Sequence, residues 1–260
     1  MSQTNGSTPA GAQVTDAPQM PLFFTNVSGV NPAEVPDLRL DREHGHSFAA
    51  KTQTIPIGLG EFEAAARSYP ILYTTGPNPV PVALVGLDAR GNLFVGPDGK
   101  WRADTYIPAY VRCFPFVLID DPATGSTFIG METTAPCLGT TVGDRLFEDG
   151  KPTQLMNDAI GLCTTVRDNI ASAAAMARAL AAEGLLEDEE AHVTFTGGGD
   201  LHIRGFQLLR TDRLDGVSDA TFLEWRRRGW LGPIFAQLYS SAQWSRLIDL
   251  ASAERVAAAG

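Results

Sequence analysis

Between Pro152 and Glu183, apolar residues recur at intervals of three and four. Ala159, Cys163, Val166, Ile170, Ala174, Ala177 and Ala181 fall on one face of a 3.6-residue period. Thr153 stands where an N-cap hydroxyl would accept a backbone N–H, and Gly184 where a left-handed residue would end the helix. The alanines of the second half let a neighbouring helix or sheet come close. No other segment shows so long a single period, so the fold must be organised around this helix.

What precedes it is β-rich. Strands are predicted over 54–57, 71–73, 82–87, 93–95, 116–119 and 127–132, with 37–41 alternating as an edge strand. Turn chemistry separates them at Gly76-Pro77-Asn78-Pro79 and Pro97-Asp98-Gly99. Short helical segments are predicted over 61–69, ended by Pro70, and over 106–111. After the long helix, 192–196 and 201–203 flank Gly197-Gly198-Gly199 as a hairpin. The acidic run Glu187-Asp188-Glu189-Glu190 reads as a solvated loop. Ser218 caps a helix ending at Gly229, and Pro233 opens a last helix to residue 250. The expected class is α+β: an antiparallel β-rich N-terminal half, a long central helix, a β-hairpin and a C-terminal helix pair, not alternating βαβ units. Residues 1–19, made of Ser, Thr, Gly, Ala, Pro and Gln, cannot offset their ordering entropy and read as a disordered tail. One globular domain is expected over 20–250, followed by a tail over 251–260.

Composition excludes several functions. Twenty basic against thirty acidic residues leave a net charge of −10, which repels nucleic-acid phosphates at long range. No run approaches the ~18 apolar residues of a membrane span, and the first 19 residues hold no Lys or Arg and no apolar core of a secretory leader. A cytoplasmic location is expected, with non-classical export left open. Cys113, Cys137 and Cys163 are odd in number and far apart, so reduced thiols are expected rather than a disulfide framework.

Candidate chemistry is sparse. His44-x-His46 offers two metal ligands that Asp41, Glu43, His192 and His202 could complete only if the fold gathers them, but no third stands at a diagnostic spacing, so it reads as a solvated loop pair and no metal is expected. Gly58-x-Gly60 precedes a helix start that would attract an anion, yet Glu61 and Glu63 already fill its first turn. The triple glycine lacks the Lys-Ser/Thr of a phosphate loop, and no Gly-x-Ser-x-Gly occurs. Cys163 falls on the helix's apolar face, where packing is its role. The segment from Trp101 to Arg112 is the candidate site. Arg112 would anchor an anion, and Trp101, Tyr106 and Tyr110 would stack on or hydrogen-bond a ligand. The alternative is that these residues pin a turn against the sheet. Arg226-Arg227-Arg228, beside Trp225 and Trp230, reads as a solvated helix end complementing the helix dipole. Three of the four tryptophans lie in the last forty residues, where they could anchor an interface.

Several short motifs stand in a fixed order: Met20-Pro21-Leu22-Phe23, Phe48-Ala49, Glu61-Phe62, Tyr69-Pro70-Ile71, Tyr106 to Arg112, Phe114-Pro115-Phe116, Arg145-Leu146-Phe147 and Gly229-Trp230-Leu231. Together, over Met20 to Leu250, they resemble the SapC family. The resemblance implies a bacterial protein. The family name is associated with surface-layer proteins, and related genes often lie near those for outer-membrane receptors and flavin-dependent halogenase-like proteins. A nutrient-uptake or cell-surface pathway is thereby implied, while no catalytic residue can be carried over. A permease role, also attached to some members, conflicts with the missing spanning segment. The leading expectation is a non-enzymatic binding or accessory protein, acting through a protein partner or self-association and without a cofactor. The alternatives are an enzyme or small-molecule-binding domain around Tyr106, Tyr110 and Arg112, and a surface-layer structural component.

Overall fold

A computed structural model describes residues 20–121, 124–195 and 198–259. The expected tail over 1–19 lies outside them, as do Thr196 and Gly197 of the glycine turn.

The elements before the long helix are β1 (Val27–Gly29), β2 (Arg39–Leu40), β3 (Thr54–Pro56), α1 (Phe62–Ala65), β4 (Ile71–Thr74), β5 (Pro81–Leu84), α2 (Ala109–Cys113), β6 (Phe116–Asp121) and β7 (Ser126–Glu132). Four two-residue strands follow: β8 (Leu138–Gly139), β9 (Asp144–Arg145), β10 (Phe147–Glu148) and β11 (Lys151–Pro152). The long helix is α3 (Gln154–Ala182). After it come β12 (Leu186–Thr194), β13 (Asp200–Leu209), α4 (Asp219–Arg227), α5 (Leu231–Ser240) and α6 (Gln243–Ala259). The class is α+β, and every strand pairing is antiparallel.

At about 1.5 Å per residue, α3 is roughly 43 Å long and joins two cores. Its first half buries Met156, Cys163 and Val166 against β6, β7 and α2. Its second half buries Ala173, Met176, Ala177 and Leu180 against a five-stranded sheet of order β12-β13-β4-β5-β3. The buried stripe is shifted from the predicted one: Ala181 is exposed and Ala174 half-buried. Met176 and Leu180 remove more apolar surface from water than alanine can, about 1.5–3 kcal/mol each, so they set the helix's rotation. Thr153 caps the helix as its position suggests, accepting from the Met156 N–H at 3.4 Å.

Four readings need correction. The acidic run is not a loop but part of β12, where it meets a cation and an amide on β13, Glu190 with Arg204 at 3.0 Å and Asp188 with Gln207 at 2.9 Å, and a cation just past its end, Glu187 with Arg210. The C-terminal pair is three helices, because the expected last helix breaks at Ser241–Ala242, and α6 runs past residue 250 to Ala259. Trp225 and Trp230 are core residues, 2 % and 6 % exposed, so neither can anchor an interface. Over 93–95 only a single bridge forms, Val95 to Trp101.

Candidate functional site

Leu59–Glu61 form a 3₁₀ turn that leads into α1. Glu61 folds back on the residue three before it and accepts from the Gly58 N–H at 2.8 Å, the reciprocal half of a capping box. Its second oxygen, Oε1, accepts from the Ala109 N–H at 2.6 Å and from the Tyr106 hydroxyl at 2.9 Å. Glu61 is 8 % exposed, and a carboxylate can be withdrawn from water when donors replace the water. The helix start at Gly58 therefore holds its own anion. Glu63 stays exposed and pairs with Arg67 at 3.0 Å.

Ala109 opens α2, so Glu61 fixes both the start of that helix and the tyrosine just before it. Tyr106 in turn accepts from Arg112 Nη2 at 3.2 Å, with the guanidinium 5.8 Å above its ring. Burial pushes the Tyr106 phenol up, as do the charge and hydrogen bond of Glu61, to about 12 against an opposing pull from Arg112. The phenol is thus neutral at physiological pH. Arg112 is exposed and, among the described residues, makes no ion pair.

The other two predicted site residues lie elsewhere. The buried Trp101 indole N–H donates to the Tyr69 hydroxyl at 3.0 Å, and Tyr69 donates to the Tyr106 carbonyl. Trp101 therefore supports the site from beneath. Tyr110 faces away from Arg112: its hydroxyl donates to the Leu22 carbonyl at 3.2 Å and its ring meets Phe23. Tyr106 and Arg112 come together, while Trp101 and Tyr110 brace the segment that carries them.

Arg112 borders a cleft of about 370 Å³ between the end of α2, the first turns of α3 and the loop after β2. That loop contributes Asp41, Arg42, His44 and His46, and α3 contributes Asp158. Phe48 and Phe114 form an aromatic wall, their rings stacked 3.9 Å apart. His46 is held by its backbone N–H on the Gly99 carbonyl at 2.7 Å and by its ring against Trp101. Burial lowers its pKa, and among the described residues its buried Nδ1 has no hydrogen-bond partner. The histidine pair is thus not wholly solvated: His44 is exposed, but His46 is half-buried in the cleft wall. Among the described residues no three His, Cys, Asp or Glu side chains converge as a metal would require, and no helix is long and apolar enough to cross a membrane.

Chemically, the cleft offers two guanidiniums, two carboxylates, two imidazoles and an aromatic wall. Sequence reasoning missed Glu61 as a hub, although the three-residue spacing from Gly58 to Glu61 was a readable signal. It also missed Arg42 and Asp158, and it placed Asp41 only beside the histidine pair; tertiary folding brings all three to Arg112. No curated protein and no solved structure matches the chain. Residues 30–247 match the SapC family model, a span that contains Glu61, Tyr106, Arg112 and the whole cleft, and the chain belongs to the SapC family.

Proposed function

We propose that this SapC-family chain is a non-enzymatic binding protein that holds a small carboxylate ligand in the cleft, with Arg112 as the anion anchor. The observation that carries this is an exposed guanidinium that, among the described residues, has no carboxylate of its own, at the mouth of an aromatic-walled cleft. A guanidinium gains most from a planar, bidentate anion, and the side-chain partner it has among the described residues, the neutral Tyr106 hydroxyl, leaves its charge uncompensated. Glu61 is already engaged by three donors, which makes it a positioning residue rather than a reacting one. Trp101 and Tyr110 keep the scaffold in register. The bacterial source and the link to nutrient uptake or the cell surface come from the family resemblance. We assign the protein to the cytoplasm, and fractionation of the native host tests this: recovery in a surface-layer extract would favour a structural role instead.

Binding is tested by thermal-shift screening against small aromatic and aliphatic carboxylates, followed by calorimetry. A ligand at 100 times its dissociation constant stabilises the native state by about 2.7 kcal/mol. Arg112→Met should weaken binding by roughly tenfold or more, about 1.4 kcal/mol. Because Arg112 is exposed, stability without ligand should change by less than about 0.5 kcal/mol. Equal affinity in the variant, or no shift with any carboxylate, overturns the proposal.

A further inference from the structure

Four charged side chains border the cleft: Arg112 at the end of α2, Asp41 and Arg42 in the loop after β2, and Asp158 on α3. Asp158 belongs to the stripe of α3 that faces the cleft, with Leu155, Ala159 and Leu162 at helical spacings of three and four. Among the described residues, none of the four charges has an opposite charge within 4.0 Å. Two cations and two anions thus share a space of about 370 Å³ without pairing. Each aspartate is held by one oxygen only. Asp41 Oδ1 accepts from the Glu43 N–H at 3.0 Å, and Asp158 Oδ1 accepts from the Gln154 amide at 2.7 Å. The second oxygen of each makes no hydrogen bond among the described residues.

Taking the cleft as a carboxylate site, we propose that its ligand is an α-amino acid with an aromatic or other large apolar side chain. The carboxylate lies on Arg112, the ammonium on Asp41 and Asp158, and the side chain against the stacked Phe48 and Phe114 rings. The charges in the cleft are balanced, and a bare carboxylate would upset that balance. It would satisfy Arg112 while facing two aspartates as repulsion. A zwitterion keeps the balance and meets both signs. Its ammonium carries three N–H donors, which suit the two aspartate oxygens left without donors. Hydrogen bonds between ionised partners are the strong ones, so the amine adds to binding rather than merely being tolerated. Separation of the opposite charges by more than 4.0 Å leaves room for a group that touches both at hydrogen-bond distance. Phe48 and Phe114, both half-buried, keep apolar surface open on the cleft side, and an apolar side chain laid on it leaves water. Arg42, the second cation, keeps the cleft from turning negative.

The test is calorimetry on the full, unaltered chain with probes that differ by one group. L-Phenylalanine carries all three parts, 3-phenylpropionate lacks the amine, 2-phenylethylamine lacks the carboxylate, and glycine lacks the side chain. Phenylalanine should bind roughly tenfold or more tightly than each of the others. This comparison does not depend on any variant folding. The double variant Asp41→Asn, Asp158→Asn keeps the oxygens that accept from Glu43 and Gln154. It should weaken phenylalanine roughly tenfold and tighten 3-phenylpropionate, so that the preference for the amino acid disappears. If 3-phenylpropionate binds the unaltered chain as tightly as phenylalanine, or if the double variant still prefers phenylalanine, the amino-acid proposal is overturned while the carboxylate site at Arg112 stands. Equal binding of glycine and phenylalanine overturns the role of the aromatic wall. A carboxylate that binds where phenylalanine does not sinks the amino-acid proposal alone, and a chain that binds no carboxylate at all sinks both readings.

Discussion

Glutamine in place of Glu61 removes a negative charge and exchanges one acceptor oxygen for an NH₂ donor where all three neighbours are donors. A hydrogen bond to a charged acceptor is worth about 1.5–3 kcal/mol net, and to a neutral one about 1. The remaining amide oxygen can keep Ala109 and Tyr106, each weakened by about 1 kcal/mol, but the NH₂ then faces the Gly58 N–H and that bond is lost. Allowing for local relaxation, Glu61→Gln should cost about 3 kcal/mol. Glu61→Ala, which strands two backbone N–H groups of buried residues, should cost about 4–5. Urea unfolding followed by the fluorescence of the buried Trp101, Trp225 and Trp230 reads the loss directly. With a slope of about 3 kcal/mol/M, the midpoint of Glu61→Gln should fall by about 1 M. The same variant should also weaken carboxylate binding, because the weaker bond to a neutral amide oxygen holds the Tyr106 hydroxyl beside Arg112 less firmly. A midpoint within about 0.2 M of the unaltered protein would refute the idea that this carboxylate organises the site.

Three further outcomes are expected. Burial pushes the Glu132 carboxyl up, but hydrogen bonds from Asn26, Thr134 and Thr25 outweigh it and hold the group at about 2 against an ordinary 4.5. Its contribution, about 3 kcal/mol, is therefore complete above pH 4.5 and is lost as pH falls through about 2. The stability gap between the unaltered protein and Glu132→Gln should shrink across that window in acid unfolding series, and a constant gap would contradict the assignment. Ser240→Ala removes the acceptor for the buried Ile71 N–H, a bond of 2.9 Å, and should cost about 1–3 kcal/mol in thermal melts. The exposed neighbour change Ser241→Ala should stay within about 0.5, so equal effects would sink this account. Gly91 has φ +99°, and a Cβ there would lie 2.2 Å from the Ala50 carbonyl oxygen, so Gly91→Ala should destabilise by more than about 2 kcal/mol. Wild-type stability in that variant would mean the loop is free to move.

The long helix was legible because one period runs unbroken from Ala159 to Ala177 and its ends carry Thr153 and Gly184. Its exact face was not, because the choice between Ala174 and Met176 is made by what lies opposite. The acidic strand was hidden for a related reason. Glu187 to Glu190 show no apolar alternation, and the residues that stabilise them, Arg204 and Gln207 on the next strand and Arg210 just past its end, are contributed from later in the chain. Within the site, Tyr106 and Arg112 could be found from local clustering, since six residues of turn and helix bring them together. His44, His46 and Asp158 reach the same cleft from two distant segments, and no spacing in the sequence records that meeting. Trp101 and Tyr110 were grouped with them by proximity along the chain alone. The backbone turns each toward a different neighbour.

Strand β4 pairs on one side with β5, ten residues away, but on the other with β13, through Thr74 with Phe206 and Tyr73 with Gln207. The Ile71 N–H is capped by Ser240, 169 residues later. On a ribosome, the amino-terminal half thus emerges with an open sheet edge and an uncovered apolar face long before its closing partners leave the exit tunnel. Such widely separated closures are slow, and the half-made sheet is the species most exposed to misassembly. During synthesis β4 therefore stays paired on one side only until residue 207 has emerged, and the Ile71 N–H stays uncapped until residue 240 follows.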